Sequence, residues 1–203
     1  MSDNRILEGW KMKKNPEATA LTRLNLLQAF WDLYSQKKIE SISINEITKK
    51  AGYHRSTFYE YFLDINDVLS QLEEGLITHI KEEVLKNLSV FQNEDFIEGM
   101  ARLYESRGKY LSVLLGENGD PFFAEKVKIV MRPVLMETFG LQVSDTLAAY
   151  IFEFGFSAIL STITYWYKNN KDFPSKELII LIRSMLVSGV YPEIQKHNAI
   201  SAC

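Results

Sequence analysis

The sequence is poor in several things that would point to other classes of protein. Cysteine is nearly absent: Cys203 stands alone among 203 residues, so no internal disulfide can form, which suits a reducing cytoplasm. Prolines number only five, which argues against long disordered stretches. The first twenty residues contain no apolar core of signal-peptide type, so secretion is not expected. A glycine-rich phosphate loop, a nucleophile elbow and an HExxH pair are all missing. No catalytic dyad is visible, so neither an enzyme nor a cofactor is expected. His79 has Glu82 and Glu83 at helical spacing, but no second histidine or cysteine lies nearby, and no metal site is expected there.

What is present is ordinary for a globular chain: 46% apolar and 24% charged residues, enough for one mid-sized domain or two small ones. Charge is unevenly spread. Residues 1–62 carry ten Lys/Arg against seven Asp/Glu, whereas the remainder carries 13 against 19. A mildly basic front on an acidic body hints at an anionic partner for the front alone.

Residues 1–18, with Lys11, Lys13 and Lys14, read as a loose basic arm. Ala20, Leu24, Leu27, Trp31 and Tyr34 then fall on one face of a helix over 19–36. Ser43 to Glu46, "SINE", is a capping box opening a short helix whose buried stripe is Ile44, Ile47 and Ala51. Gly52 tolerates the positive φ that ends it. Phe58 and Phe62 mark a second helix, His54 to Phe62, and two helices joined by so tight a turn form a helix-turn-helix. Asp64 caps a long helix with the stripe Leu69, Leu72, Leu76, Ile80, Val84 and Leu88.

Further helices are expected over 94–106, 108–115, 121–139, 144–169 and 174–188. Asp120 and Pro121 of "NGDP" (118–121) open the third of these, Gly140 stops it, and Gly189 with Pro192 ends the last. The fold class is therefore all-α. An N-terminal three-helix domain (19–64) is joined by the long helix to a helical body (65–193), followed by a tail (194–203). Residues 146–167 carry a single charge, Glu153, and are long enough to span a bilayer. Their hydroxyls and the lack of flanking Lys/Arg bias argue against that. The alternative reading is a helical interaction or membrane-associated protein that docks a partner through 144–188.

On the helix 54–62, Phe58 and Phe62 face inward. His54, Arg55, Ser56, Thr57, Tyr59, Glu60 and Tyr61 are left outside. Arginine suits guanine O6/N7 or a phosphate, hydroxyls suit phosphate oxygens, and the threonine methyl suits a thymine methyl. With the capped helix before it, this stretch resembles the DNA-binding signature of the TetR family of bacterial transcriptional regulators, in "SINEITKKAGYHRSTFYEYFLDINDVL" (43–69). The matching features are Ala51-Gly52, Thr57-Phe58-Tyr59, Tyr61-Phe62 and the acidic residue with leucine opening the next helix.

The resemblance implies a cytoplasmic homodimeric repressor, or less often an activator, that grips double-stranded DNA at a palindromic operator and is released by a small-molecule effector. It places the dimer interface on 144–169 and 174–188. It also carries the DNA contacts onto His54 to Thr57, Tyr59, Glu60 and Tyr61, with Ser43 and Ile44 near phosphates. Tyr53-His54 departs from the family's small residues, and the lysine expected near Ile65 is missing. In the body, Tyr104, Tyr110, Phe122, Phe123, Phe152, Phe156 and Trp166 are candidates to line an effector pocket. Glu153 is open to three readings: partner of a cationic ligand, cross-dimer contact, or solvated edge residue.

Overall fold

A computed structural model of the chain describes residues 16–88, 94–116, 119–142, 144–192 and 194–195. The arm lysines Lys11, Lys13 and Lys14, Asn118 and the tail with Cys203 lie outside these. Among the described residues the structure is helical and has no strand. The helices are α1 (Pro16–Tyr34), α2 (Ile44–Ala51), α3 (Arg55–Phe58), α4 (Ile65–Leu88), α5 (Glu94–Leu114), α6 (Phe123–Thr138), α7 (Thr146–Lys168) and α8 (Ser175–Met185). Two compact units divide between Leu72 and Glu73, inside α4 and not at its start.

In the first unit α1 begins at Pro16, inside the span expected to be an arm. Its buried face is Leu26, Ala29, Phe30, Trp31 and Tyr34, whereas Leu21 and Leu24 are exposed. The expected stripe through Ala20 and Leu24 is thus rotated over the first half of the helix. Adjacent apolar pairs (Leu26-Leu27 and Phe30-Trp31) allow two registers, and packing selects the one that stacks Phe30 on Tyr34 at 5.4 Å.

The capping box forms as expected. Ser43 Oγ accepts from Glu46 N at 3.3 Å, and Glu46 Oε2 accepts from Ser43 N at 2.9 Å. Lys37 adds a 2.7 Å ion pair to Glu46 Oε1. The Lys37 hydrogen bond, then those from Ser43, hold the Glu46 carboxyl down at about 2. Gly52 ends α2 at φ 77°, where a side chain would be strained. Asp64 caps α4 by accepting from Asp67 N at 2.9 Å.

In the second unit α5 is one helix and not two. Gly108 is buried within it, and a Cβ there would sit 3.1 Å from Lys171 Nζ and 3.7 Å from the Tyr167 ring. The glycine permits close approach of the α7 end and does not break the helix. The α6 helix starts two residues later than Pro121, because Asp120 Oδ1 accepts from Phe122 N at 2.9 Å and holds residues 120–122 in a turn. Gly140, at φ 69°, lies just beyond its end as expected. Helical structure continues past Gly189: α8 passes into a π turn, Leu186–Val190, and on through Tyr191 and Pro192.

Glu73 of α4 is 1% exposed. Its Oε2 accepts from Lys126 Nζ at 2.6 Å, and the same ammonium binds Asp120 Oδ2 at 2.7 Å. One cation thus faces two carboxylates, and among the described residues Glu73 Oε1 has no hydrogen-bond partner. The buried carboxyl is the one that yields its charge: burial pushes Glu73 up to about 7, against the pull of Lys126.

Two outcomes are expected. Ser43→Ala should lower the unfolding free energy by ~1 kcal/mol, read by urea titration. For Glu73, the folded value lies above the unfolded one, so the penalty is absent below the ordinary 4.5 and grows until pH reaches about 7. Wild-type Tm should therefore fall relative to Glu73→Gln as pH rises through that window; parallel curves would acquit Glu73.

Candidate nucleic-acid interface and interior cavity

Four residues cannot sustain a helix by themselves, since nucleation costs more than so few hydrogen bonds return. The α3 helix is held from behind. Phe58 is fully buried, and Phe62 meets it at 5.4 Å between ring centres. Expected to run to Phe62, the helix instead tightens after Phe58. Glu60 N donates to Thr57 O at 3.3 Å and Tyr61 N to Phe58 O at 3.0 Å.

Four side chains that the sequence reading did not assign to the site fix the two ends of α3. Before it, the Tyr53 hydroxyl accepts from Asn25 Nδ2 of α1 at 3.0 Å. Hydrogen bonds from Asn25, then Thr22, hold its phenol below the ordinary value. After it, Gln71 Nε2 donates to Tyr61 O at 3.3 Å while Arg23 Nη2 donates to Gln71 Oε1 at 2.6 Å. Nothing in the periodicity announces these contacts, because each joins residues distant in sequence. The departure at Tyr53 therefore serves to anchor the turn on α1.

Of the expected DNA contacts, Ser43, His54, Arg55, Ser56, Tyr59 and Glu60 are exposed, and Ile44, Thr57 and Tyr61 are half-buried. Arg55 lies along its own helix: Nη2 donates to Tyr59 Oη at 2.9 Å, and the guanidinium sits 5.7 Å from the ring centre. The pair forms one cationic, aromatic surface. Ser43 spends its hydroxyl and amide in the capping box, as above.

In the second unit a cavity of about 210 Å³ lies among α4, α5, α6, α7 and α8. Its walls are almost wholly aliphatic and aromatic. Tyr104, Phe123, Phe152 and Phe156 line it. Four other candidates do not. Phe122 is exposed, and Tyr110 stacks under Lys109 at 4.8 Å. Trp166 is buried and donates Nε1 to Phe173 O at 2.6 Å. Glu153 is exposed and paired with Lys128 at 2.7 Å, whose hydrogen bond holds its carboxyl below the ordinary value. The charge in the apolar helix is thus compensated within the chain. Among the described residues no group of three or more His, Cys, Asp or Glu is placed to hold a metal.

The comparisons agree with this geometry. A TetR-type family model, "Transcriptional regulator C-terminal region", matches residues 92–188. Two curated relatives also match part of the chain. The uncharacterized HTH-type transcriptional regulator YvdT of Bacillus subtilis is 35% identical over 81 residues, 40% of this chain and 41% of its own. The HTH-type transcriptional regulator AcrR of Shigella flexneri is 30% identical over 82 residues, 40% and 38% of the two chains. The chain is thus similar to TetR-family transcriptional regulators in sequence and in fold. Its match spans about two fifths of the length of those curated relatives.

Solved structures show the same fold. The fatty acid degradation regulator FadR from Bacillus halodurans superposes with a TM-score of 0.64 at 15% identity, covering 87% of this chain and 97% of that one. A TetR transcriptional regulator from Streptococcus agalactiae gives 0.62 at 20% identity, covering 84% and 96%.

The outer face of α7 is apolar as well. Leu147, Tyr150, Phe154 and Tyr165 are exposed at helical spacing, and Tyr150 and Phe154 are each 71% exposed. On α8, Ile180, Leu181 and Met185 are exposed as well. Thr146–Lys168 is long and apolar enough to cross a membrane, with a mean hydropathy of 1.5. The membrane-docking alternative is not favoured by the likeness to transcriptional regulators.

Proposed function

We propose that the chain is a cytoplasmic, homodimeric, DNA-binding repressor whose grip on a palindromic operator is relieved when a small molecule enters the α4–α8 cavity. One observation carries the DNA-binding reading: a capped α2, a glycine turn and α3 together leave Arg55, Ser56, Thr57 and Tyr59 outside a core closed by Phe58 and Phe62. Such a surface offers a bidentate donor for guanine or phosphate and hydroxyls for the backbone. The regulatory domain is taken as 65–193, with 19–64 as the reading domain.

The homodimer reading rests on the outer faces of α7 and α8. Large apolar side chains at helical spacing on neighbouring helices are costly to leave in water, and a second copy presenting the same face covers them symmetrically. Two proteins of similar fold are connected with apolar compounds, FadR with fatty acid degradation and AlkX of Dietzia with biodegradation of n-alkanes. They support an apolar effector in the cavity.

The DNA-binding reading is tested by selecting genomic fragments bound by the protein and titrating the best one against salt. Arg55→Ala is expected to cost about 1–3 kcal/mol of binding and to relax preference at one base pair or flatten the salt slope. Unchanged affinity and slope would remove Arg55 from the interface. The assembly is tested by Phe154→Glu: sedimentation should give a dimer of the 23.5 kDa chain for wild type and a monomer for the variant. A variant still dimeric would move the interface elsewhere.

A further inference from the structure

We propose that the α4–α8 cavity takes a small uncharged carbonyl compound of about eight to ten non-hydrogen atoms, a ketone, aldehyde or ester whose oxygen accepts a hydrogen bond from the Tyr104 hydroxyl. The inference rests on the effector reading and narrows it to a chemical class.

Size comes first. A dry apolar cavity of roughly 150 Å³ accepts benzene, so 210 Å³ suits a ligand a few atoms larger. Charge comes next. No carboxylate or lysine lines the cavity among the described residues, and the one charged side chain there, Arg183, already interacts with a partner inside the chain. An ion entering would exchange water for aliphatic and aromatic walls without a counter-charge to spare, which costs more than its apolar part returns. The occupant is therefore uncharged.

Polarity singles out Tyr104. Three polar-tipped rings meet where α5 packs on the end of α7: Tyr104 lies 6.3 Å from Trp166, and Trp166 4.9 Å from Tyr167. Two of them are satisfied within the chain. Tyr167 donates its hydroxyl to Tyr104 O at 3.1 Å, and Trp166 donates Nε1 to Phe173 O at 2.6 Å. The Tyr104 hydroxyl has no hydrogen-bond partner among the described residues. Tyr104 keeps some accessible surface, yet burial pushes its phenol above the ordinary value, so what it exposes is cavity and not bulk water. A buried phenol ordinarily finds a hydrogen-bond partner, and here the wall supplies none. A neutral O–H donates, so the matching group is an acceptor; a donor on the ligand would face walls that are almost wholly apolar. Tyr191, the other phenol of the wall, stands beyond the π turn and packs on Phe139 at 6.5 Å.

The test is calorimetric titration of the DNA-free protein with acetophenone, 1-phenylethanol, isopropenylbenzene and benzoate, which share size and shape and differ in polarity. Acetophenone should bind more tightly than 1-phenylethanol and at least about tenfold more tightly than benzoate. Tyr104→Phe should weaken acetophenone by about threefold to tenfold and leave isopropenylbenzene unchanged, whereas Tyr191→Phe should weaken neither. The carbonyl stretch of bound acetophenone should lie lower in the wild type than in Tyr104→Phe. Without ligand, Tyr104→Phe should melt no lower than the wild type, since the hydroxyl it removes has no protein partner. Tighter binding of benzoate or 1-phenylethanol, an acetophenone affinity indifferent to Tyr104→Phe, a lower Tm of that variant, or no binding of acetophenone would overturn the proposal. Release from DNA is measured separately: acetophenone that binds the free protein through Tyr104 without displacing DNA would uphold the ligand class and count against the effector role.

Discussion

The first unit depends on a single constraint: a four-residue helix must be held in place by everything except itself. Burial of Phe58 and Phe62 supplies the free energy, on the order of 1.5–3 kcal/mol for each ring. The hydrogen bonds at Tyr53 and Tyr61 supply direction. Upstream, the capping box and the left-handed Gly52 decide where α2 ends and therefore where α3 begins. The exposed Arg55–Tyr59 pair is the outward result of this inward bracing. On the proposed DNA-binding reading, such bracing favours contact with a rigid duplex, because less ordering remains to be done.

The second unit solves a different problem. Five helices enclose an apolar space, and two of them also carry apolar side chains outward. One helix, α7, serves both faces. Phe152 and Phe156 stack at 5.2 Å on the cavity side while Tyr150 and Phe154 face away. That double use explains why the segment is nearly uncharged and why it mimics a membrane span. Glu153 sits on its exposed side with Lys128, so the apolar helix contains no orphaned charge.

Local signals were legible in the sequence, and contacts between distant residues were not. The capping box, Gly52, Asp64 and Gly140 act within a few residues of themselves, and each does what its spacing predicts. The register of α1 is ambiguous in the sequence because adjacent apolar pairs satisfy two stripes, and only packing chooses between them. Gly108 and Gly189 look like stops, yet the first admits a neighbouring helix and the second sits in a π turn. At the site, outward residues followed from helical phase. The anchors Asn25, Tyr53, Arg23 and Gln71 did not, since their bonds cross tens of residues. Three of the seven aromatic pocket candidates lie off the cavity wall, because aromatics at helical spacing fill cores as readily as they line cavities.

The central claim is that α3 meets DNA as a surface held from behind. It is tested most directly by Gln71→Ala, which leaves every exposed candidate contact in place and removes the bond to Tyr61 O. Affinity for a DNA fragment selected with the wild type should fall several-fold, with hydrogen exchange quickening at Tyr61 and Phe62. Unchanged affinity alongside that loosened turn would contradict the account.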